Sequence, residues 1–266
     1  MNKKDINKLD YNDPNDKALL CSYLSTISYF DKDNQKKWLE KRFNMDFFDS
    51  YTVESLQYYI MYDDFNKNAY FVIRGTDIKR IKKEWRDLLI SLRLWPKKVK
   101  ETKGHNGYIR AGNKLLPLIN EKVTEARAQG YNIIFTGHSM GGTLGKYIAC
   151  TIDEVAEVYT FGAPSLVKSE FYDDVANVSV YKYRMDGDLV PMFPTMLYDD
   201  VFGDEFMIKR GSVVYDPADK KGFFAPLIFL TKIQLFYKLF TAVKTHNTTV
   251  YNLNLLRKNK NKNIKK

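Results

Sequence analysis

Apolar and polar residues alternate along this chain with two different periods, and the changes of period mark out its elements. In "DKALLCSYLSTISYF" (Asp16 to Phe30) the apolar positions recur every three or four residues, which predicts an N-terminal helix opened by Asp16. In "YYIMYDDFNKNAYFVIRG" (Tyr58 to Gly75) two short β-favouring runs flank a polar stretch, which predicts two strands joined by a turn at Asn66 to Asn68. The helical period returns in "NKLLPLINEKVTEARAQG", closed by Gly130. Three apolar strands follow, at Asn132 to Thr136, Val155 to Phe161 and Val178 to Met185, separated by helices. Strands alternating with helices predict an α/β fold with a parallel sheet covered on both faces. No internal repeat and no long Pro/Gly/Ser linker divides the chain, so residues 1–256 read as a single domain. The last ten residues, "RKNKNKNIKK" (257–266), read as a basic, disordered tail.

Two segments carry more apolar surface than a sheet-covering helix requires. Between residues 77 and 100, Ile81, Trp85, Leu88, Leu92 and Trp95 recur at spacings of four and three, one stripe of a helix flanked by Lys79, Arg80, Lys82, Lys83 and Arg86. A core-facing helix explains such a stripe as well as a surface one does. In "FFAPLIFLTKIQLFYKLFTAVKTH", a helix from about Pro226, apolar over 226–243, confines Thr231, Gln234, Lys238, Thr241 and, just past that stretch, Thr245 to a narrow polar stripe. Its wide apolar face fits the core, an acyl-chain pocket or a membrane surface. Neither segment offers about 18 uninterrupted apolar residues, so no membrane-spanning helix is expected.

Composition narrows the partners. Lys and Arg number 42 against 32 Asp and Glu, a net charge of +10, which suits peripheral contact with an anionic membrane surface. The same charge fits nucleic acid, but no recognition motif accompanies it and none is expected to bind. Cys21 and Cys150 lie in apolar helical segments and read as buried free thiols rather than a disulfide framework. The opening residues "MNKKDINKLDYNDPND" contain no apolar run of the signal-peptide kind, so the expectation is a cytoplasmic protein. Nothing in the pattern sets an oligomeric state.

The candidate chemistry sits in "YNIIFTGHSMGGTLGKYIAC", where Ser139 stands in Gly-x-Ser-x-Gly between a predicted strand and a predicted helix. A nucleophilic serine needs its oxygen clear of the backbone, a base facing it and amides to bind the developing oxyanion. A sharp strand-to-helix turn meets all three needs, with the Met140 N–H as a donor at the helix N-terminus. Gly137 and Gly141 keep side chains out of the neighbouring strand and helix, and Gly142 and Gly145 keep the first helical turns slim. In this arrangement the acid and base follow the serine in the chain. Of three histidines, His105 precedes Ser139 and His138 lies inside the turn with its side chain expected to point away from the nucleophile, so His246 is the candidate base. "VSVYKYRMDGDLVPMFP" places Asp186 and Asp188 just past a strand end. Asp188 is the preferred acid and Asp186 the fallback.

With these residues in this order, the sequence resembles the class 3 lipases, the fungal-type triacylglycerol lipase group of α/β-hydrolases. The resemblance runs from about Tyr58 to Tyr251. It rests on "FVIRGT" (Phe71 to Thr76), "HNGY" (His105 to Tyr108), "TGHSMGG", "TFGAPS" (Thr160 to Ser165) and "DLVPMFP" (Asp188 to Pro194). Met140, Ser165 and Tyr108 depart from the family's usual leucine, arginine and phenylalanine. The resemblance implies an α/β-hydrolase fold, a mostly parallel central sheet with helices on both faces. It further implies that Thr76 supplies an oxyanion donor through its N–H and hydroxyl alongside Met140, and that residues 77–100 carry a lid. The expected activity is hydrolysis of carboxylic esters of lipids, acylglycerol or phospholipid, through Ser139, His246 and Asp188, with no cofactor and no metal. An esterase or thioesterase on small soluble acyl substrates, and a non-catalytic lipid- or protein-binding scaffold, are the alternatives.

Overall fold

The computed structural model of the chain describes residues 9–10, 13–43, 47–75, 96–99, 102–165, 167, 169–172, 175, 178–188, 190–192, 202–209, 212–215, 246, 251 and 255. Thr76, the 81–95 stripe, the apolar 226–243 segment and the 257–266 tail lie outside the described residues.

Helix α1 (Pro14–Ile27) starts two residues earlier than the hydrophobic pattern suggested. Asp13, not Asp16, is its cap: the Asp13 carboxylate accepts the Asn15 N–H at 2.8 Å, and Pro14 takes the first helical position, where its fixed φ suits the helix and a missing N–H costs nothing. Asp16 sits in the first turn and accepts the Asp10 N–H. Helix α2 (Lys32–Phe43) was not anticipated, because its polar sequence buries little beyond Leu39 and Gln35.

The strands are β1 (Phe47–Val53), β2 (Leu56–Asp63), β3 (Asn68–Ile73), β4 (Pro96–Val99) and β5 (Thr102–His105). After helix α3 (Asn106–Ala128) come β6 (Asn132–His138), helix α4 (Met140–Ala149), β7 (Glu157–Phe161), β8 (Ser179–Met185), β9 (Asp204–Lys209) and β10 (Ser212–Tyr215). Helix α3 begins well before the expected Asn113; Gly130 follows its end at φ +81, the left-handed backbone that a side chain would oppose. The expected strand from Val155 begins instead at Glu157.

Eight strands form one sheet in the order β1-β2-β3-β6-β7-β8-β9-β10, and β4 pairs with β5 separately. The β3-β6-β7-β8-β9 pairings are parallel, while the hairpin strands at both edges run antiparallel. This is the mostly parallel α/β-hydrolase sheet. Register aligns Ile73 with Gly137 and His138 with Phe161, which itself stands opposite Tyr183. The carboxyl ends of β3, β6, β7 and β8 therefore lie along one edge, where ligands bind in open α/β sheets.

Side-chain alternation along β3, buried at all six positions, feeds both faces. Phe71 and Ile73 join Phe135, Ile133 and Val158 with Leu115 and Ile119 of α3 and Leu144 of α4 on one side. Tyr70 and Val72 join Ile134, Tyr159 and Phe161 with Leu19, Leu20 and Leu24 of α1 on the other. Burying each large apolar side chain stabilises the fold by about 1.5–3 kcal/mol, so the sheet is held from both sides and its carboxyl edge stays fixed. Cys21 and Cys150 are free and buried, as expected. Among the described residues no helix is long and apolar enough to cross a membrane.

Candidate active site

Ser139 links β6 to α4 with φ 56 and ψ −133, a conformation that non-glycine residues rarely adopt and that lifts the side chain off the strand. The surrounding glycines make the turn sterically feasible. A Cβ on Gly141 would run into the Ile73 carbonyl of β3, one on Gly137 would lie 2.5 Å from Gly141 C, and one on Gly142 would lie 2.7 Å from the Gly137 carbonyl. Gly145 does not belong with them: a Cβ there would meet nothing closer than 3.8 Å, so α4 has room at that point. The turn is pinned where the Ser139 N–H donates to the Phe161 carbonyl at 2.9 Å and the Gly142 and Thr143 N–H groups donate to the Ser139 carbonyl. Met140 follows as the first residue of α4, with its N–H at the positive end of the helix.

Asp188 and His246 meet at the carboxyl end of β8. Their contact is 2.8 Å between Asp188 Oδ2 and His246 Nδ1, with both side chains buried. Asp186, the fallback acid, is exposed in the turn before it. Asp188 is held by more than the histidine: Oδ1 accepts the Val190 N–H at 3.0 Å, and Oδ2 accepts the Tyr251 hydroxyl at 2.7 Å. The Tyr251 hydroxyl in turn accepts the Met185 N–H at 3.0 Å. His246 Nε2 is buried and has no hydrogen-bond partner among the described residues. With Nδ1 tied to a carboxylate, Nε2 is the ring nitrogen left without a partner among these residues.

Gly162, in the "TFGAPS" stretch, makes room for this pair. At φ +59 its Cα faces the cluster, and a Cβ would lie 2.9 Å from both Asp188 Oδ2 and the Tyr251 hydroxyl and 3.0 Å from His246 Cε1. The pattern identified the stretch without revealing this contact.

His138 has contacts that the pattern did not reveal. Its fully buried ring lies against that of His246, with centroids 4.5 Å apart and planes tilted by 38°. Its Nδ1 lies 2.9 Å from the Tyr29 hydroxyl. Burial, and after it the nearby His246, pushes the His138 pKa well below the usual histidine value, so the ring is neutral at pH 7. Tyr29 also packs beneath the end of β3: the Arg74 guanidinium lies 5.7 Å from its ring, and a Cβ on Gly75 would collide with its hydroxyl. Thus Ser139 is one residue from a histidine that touches His246, and Gly75 abuts the same elbow. Sequence reasoning missed Tyr29, His138 and Tyr251 as members of this cluster, since their contacts span 109 residues in one case and 63 in another.

A family model described as lipase (class 3) matches residues 70–198, a range that holds Arg74-Gly75-Thr76, the Ser139 elbow, Gly162 and Asp188. The chain is class 3 lipase-like. The curated relative Lipase ZK262.3 of Caenorhabditis elegans is 29% identical over 104 residues, 35% of this chain, and the match covers 30% of that relative's length. Among solved structures, the lipase propeptide complex of Rhizomucor miehei is similar with a TM-score of 0.62 at 19% identity, over 76% of this chain and 72% of that one. Lipase II of Rhizopus niveus is similar with a TM-score of 0.59 at 18% identity, over 82% and 91%. At these identities the likeness is one of fold. The class 3 lipase-like match ends before His246 and Tyr251, so the residues that complete the buried cluster come from outside it.

Proposed function

We propose that this protein is a metal-independent serine hydrolase acting on carboxylic esters of lipids. Ser139 attacks the ester carbonyl while His246 takes its proton at Nε2. Asp188 holds the His246 tautomer and stabilises the imidazolium. The Met140 N–H, with Thr76, binds the oxyanion. Collapse of the tetrahedral intermediate expels the alcohol, to which His246 returns the proton, and water then attacks the acyl-enzyme by the same route in reverse. The observation that carries this reading is the buried 2.8 Å contact of His246 with Asp188, with the His246 ring packed on His138, the residue before a serine held at positive φ. The lipid part draws support from the class 3 lipase match and from a neighbouring structure described as a triacylglycerol lipase with a serine protease triad. The net charge of +10 favours substrate presented on an anionic surface. We take residues 1–256 as one catalytic domain.

A fluorescent fluorophosphonate tests the chemistry. Wild type is expected to label and Ser139→Ala to remain unlabelled, with long-chain ester hydrolysis rising on anionic vesicles. Asp188→Asn is expected to keep the fold and lose about 10⁴ in kcat, while Asp186→Asn stays within about twofold of wild type. Labelling with short-chain activity alone would assign a soluble-ester esterase. Folded wild type that neither labels nor hydrolyses would assign a binding scaffold.

A further inference from the structure

The Asp188 carboxylate is shared. One oxygen, Oδ2, accepts both the base, at 2.8 Å, and a phenol, at 2.7 Å. The phenol belongs to Tyr251, fully buried and five residues past His246, and it is oriented by accepting the Met185 N–H from the end of β8. Its ring is fixed edge-on against Phe161 and His138, with centroids 6.1 and 5.9 Å away. Gly162 supplies the space in which the phenol, carboxylate and imidazole converge. A phenol locked this way can only donate to Asp188, because its acceptor side is occupied by the amide.

We propose that Tyr251 is a positioning residue that sets the basicity of His246 by drawing charge from Asp188 Oδ2, the oxygen that also binds the imidazole. The inference rests on the hydrolase reading above and deepens it. A hydrogen bond donated to an ionised carboxylate spreads its charge, which weakens its hold on the imidazolium. Tyr251 therefore lowers the pH at which His246 becomes an active base. Both halves of the clamp act together, since Tyr251 and His246 share one segment and the phenol fastens it to the β8 end. Among the described residues, the other titratable or charged groups around the base are His138, kept neutral by burial, Tyr29 beyond it, Arg184 near Tyr251, and exposed Asp186 in the β8 turn.

Two variants move the base in opposite directions. Tyr251→Phe keeps the ring and removes the donor; the midpoint of the acid limb of kcat/KM is expected to rise by about one pH unit, a tenfold change in proton concentration, with KM unchanged. Introducing 3-fluorotyrosine at 251 by stop-codon suppression keeps the donor and strengthens it, and the midpoint is expected to fall. A purely structural tyrosine would lower activity equally at every pH. The same midpoint is read without turnover by titrating the ¹⁵N-labelled His246 ring by NMR. That separates the two readings: absence of Ser139-dependent hydrolysis sinks the hydrolase, while an unmoved His246 midpoint in both variants overturns the role of Tyr251. If Tyr251→Phe does not fold, the fluorotyrosine protein decides alone.

Discussion

His138 ties the acid stability of the protein to its candidate site. Buried beneath the elbow, against His246 and the Tyr29 hydroxyl, it titrates well below the 6.5 of an ordinary histidine. Because the folded pKa is depressed, the unfolded chain binds more protons between the two values. Its contribution is fully present above about pH 6.5 and is lost as pH falls towards the folded pKa, with a limiting slope of about 1.4 kcal/mol per pH unit for one proton. Urea unfolding followed from pH 7.5 to pH 5 is expected to show stability falling with acid in wild type. His138→Gln is expected to flatten that fall while lowering stability at neutral pH, since it removes the packing on His246. Equal acid slopes in both proteins would place the sensitive group elsewhere.

The strand-turn-helix element carries a sharper contrast than the glycine pattern alone suggests. Gly141 in α4 abuts the β3 backbone, whereas Gly145 one turn later faces only ordinary contacts with Ile73 and Phe135. Gly145→Ala is therefore expected to stabilise the protein by about 0.5–1 kcal/mol, through helix propensity and a less flexible unfolded chain. Gly141→Ala would drive β3 and α4 apart and is expected to yield little folded protein; urea midpoints and soluble yield check the pair. This difference also marks what was legible in advance. Ser139 and its glycines announce themselves within a few residues, and with only three histidines His246 could be found by elimination. Asp188 rather than Asp186 required knowing which carboxylate turns inward, though its neighbours Val190 and Met185 were already in the recognised stretch. The rings of Tyr29, His138 and Tyr251 converge only after β6, β8 and α1 are assembled, so no local spacing encodes them. Helix α2 and the β9-β10 hairpin went unseen because each gives the core little more than one side chain, Leu39 and Ile208, from segments too polar or too short to show a period.

At the scale of the molecule, chemistry and support come from different parts of the chain. Helix α1, from outside the 70–198 match, covers the sheet face that carries Tyr70, Tyr159 and Phe161, while His246 and Tyr251 reach the site from beyond the other end. The whole is held by a small net balance, about 5–15 kcal/mol for a typical domain. Against that margin the backbone at Ser139 matters. Its φ of 56 costs on the order of 1–3 kcal/mol for any residue with a side chain, and a glycine would be spared it. Ser139→Gly is therefore expected to melt several degrees higher than wild type while losing all fluorophosphonate labelling, and an unchanged or lower Tm would show the turn to be relaxed. On the hydrolase reading, one backbone angle then sets reactivity against endurance, and a disarmed version of the protein would outlast the armed one.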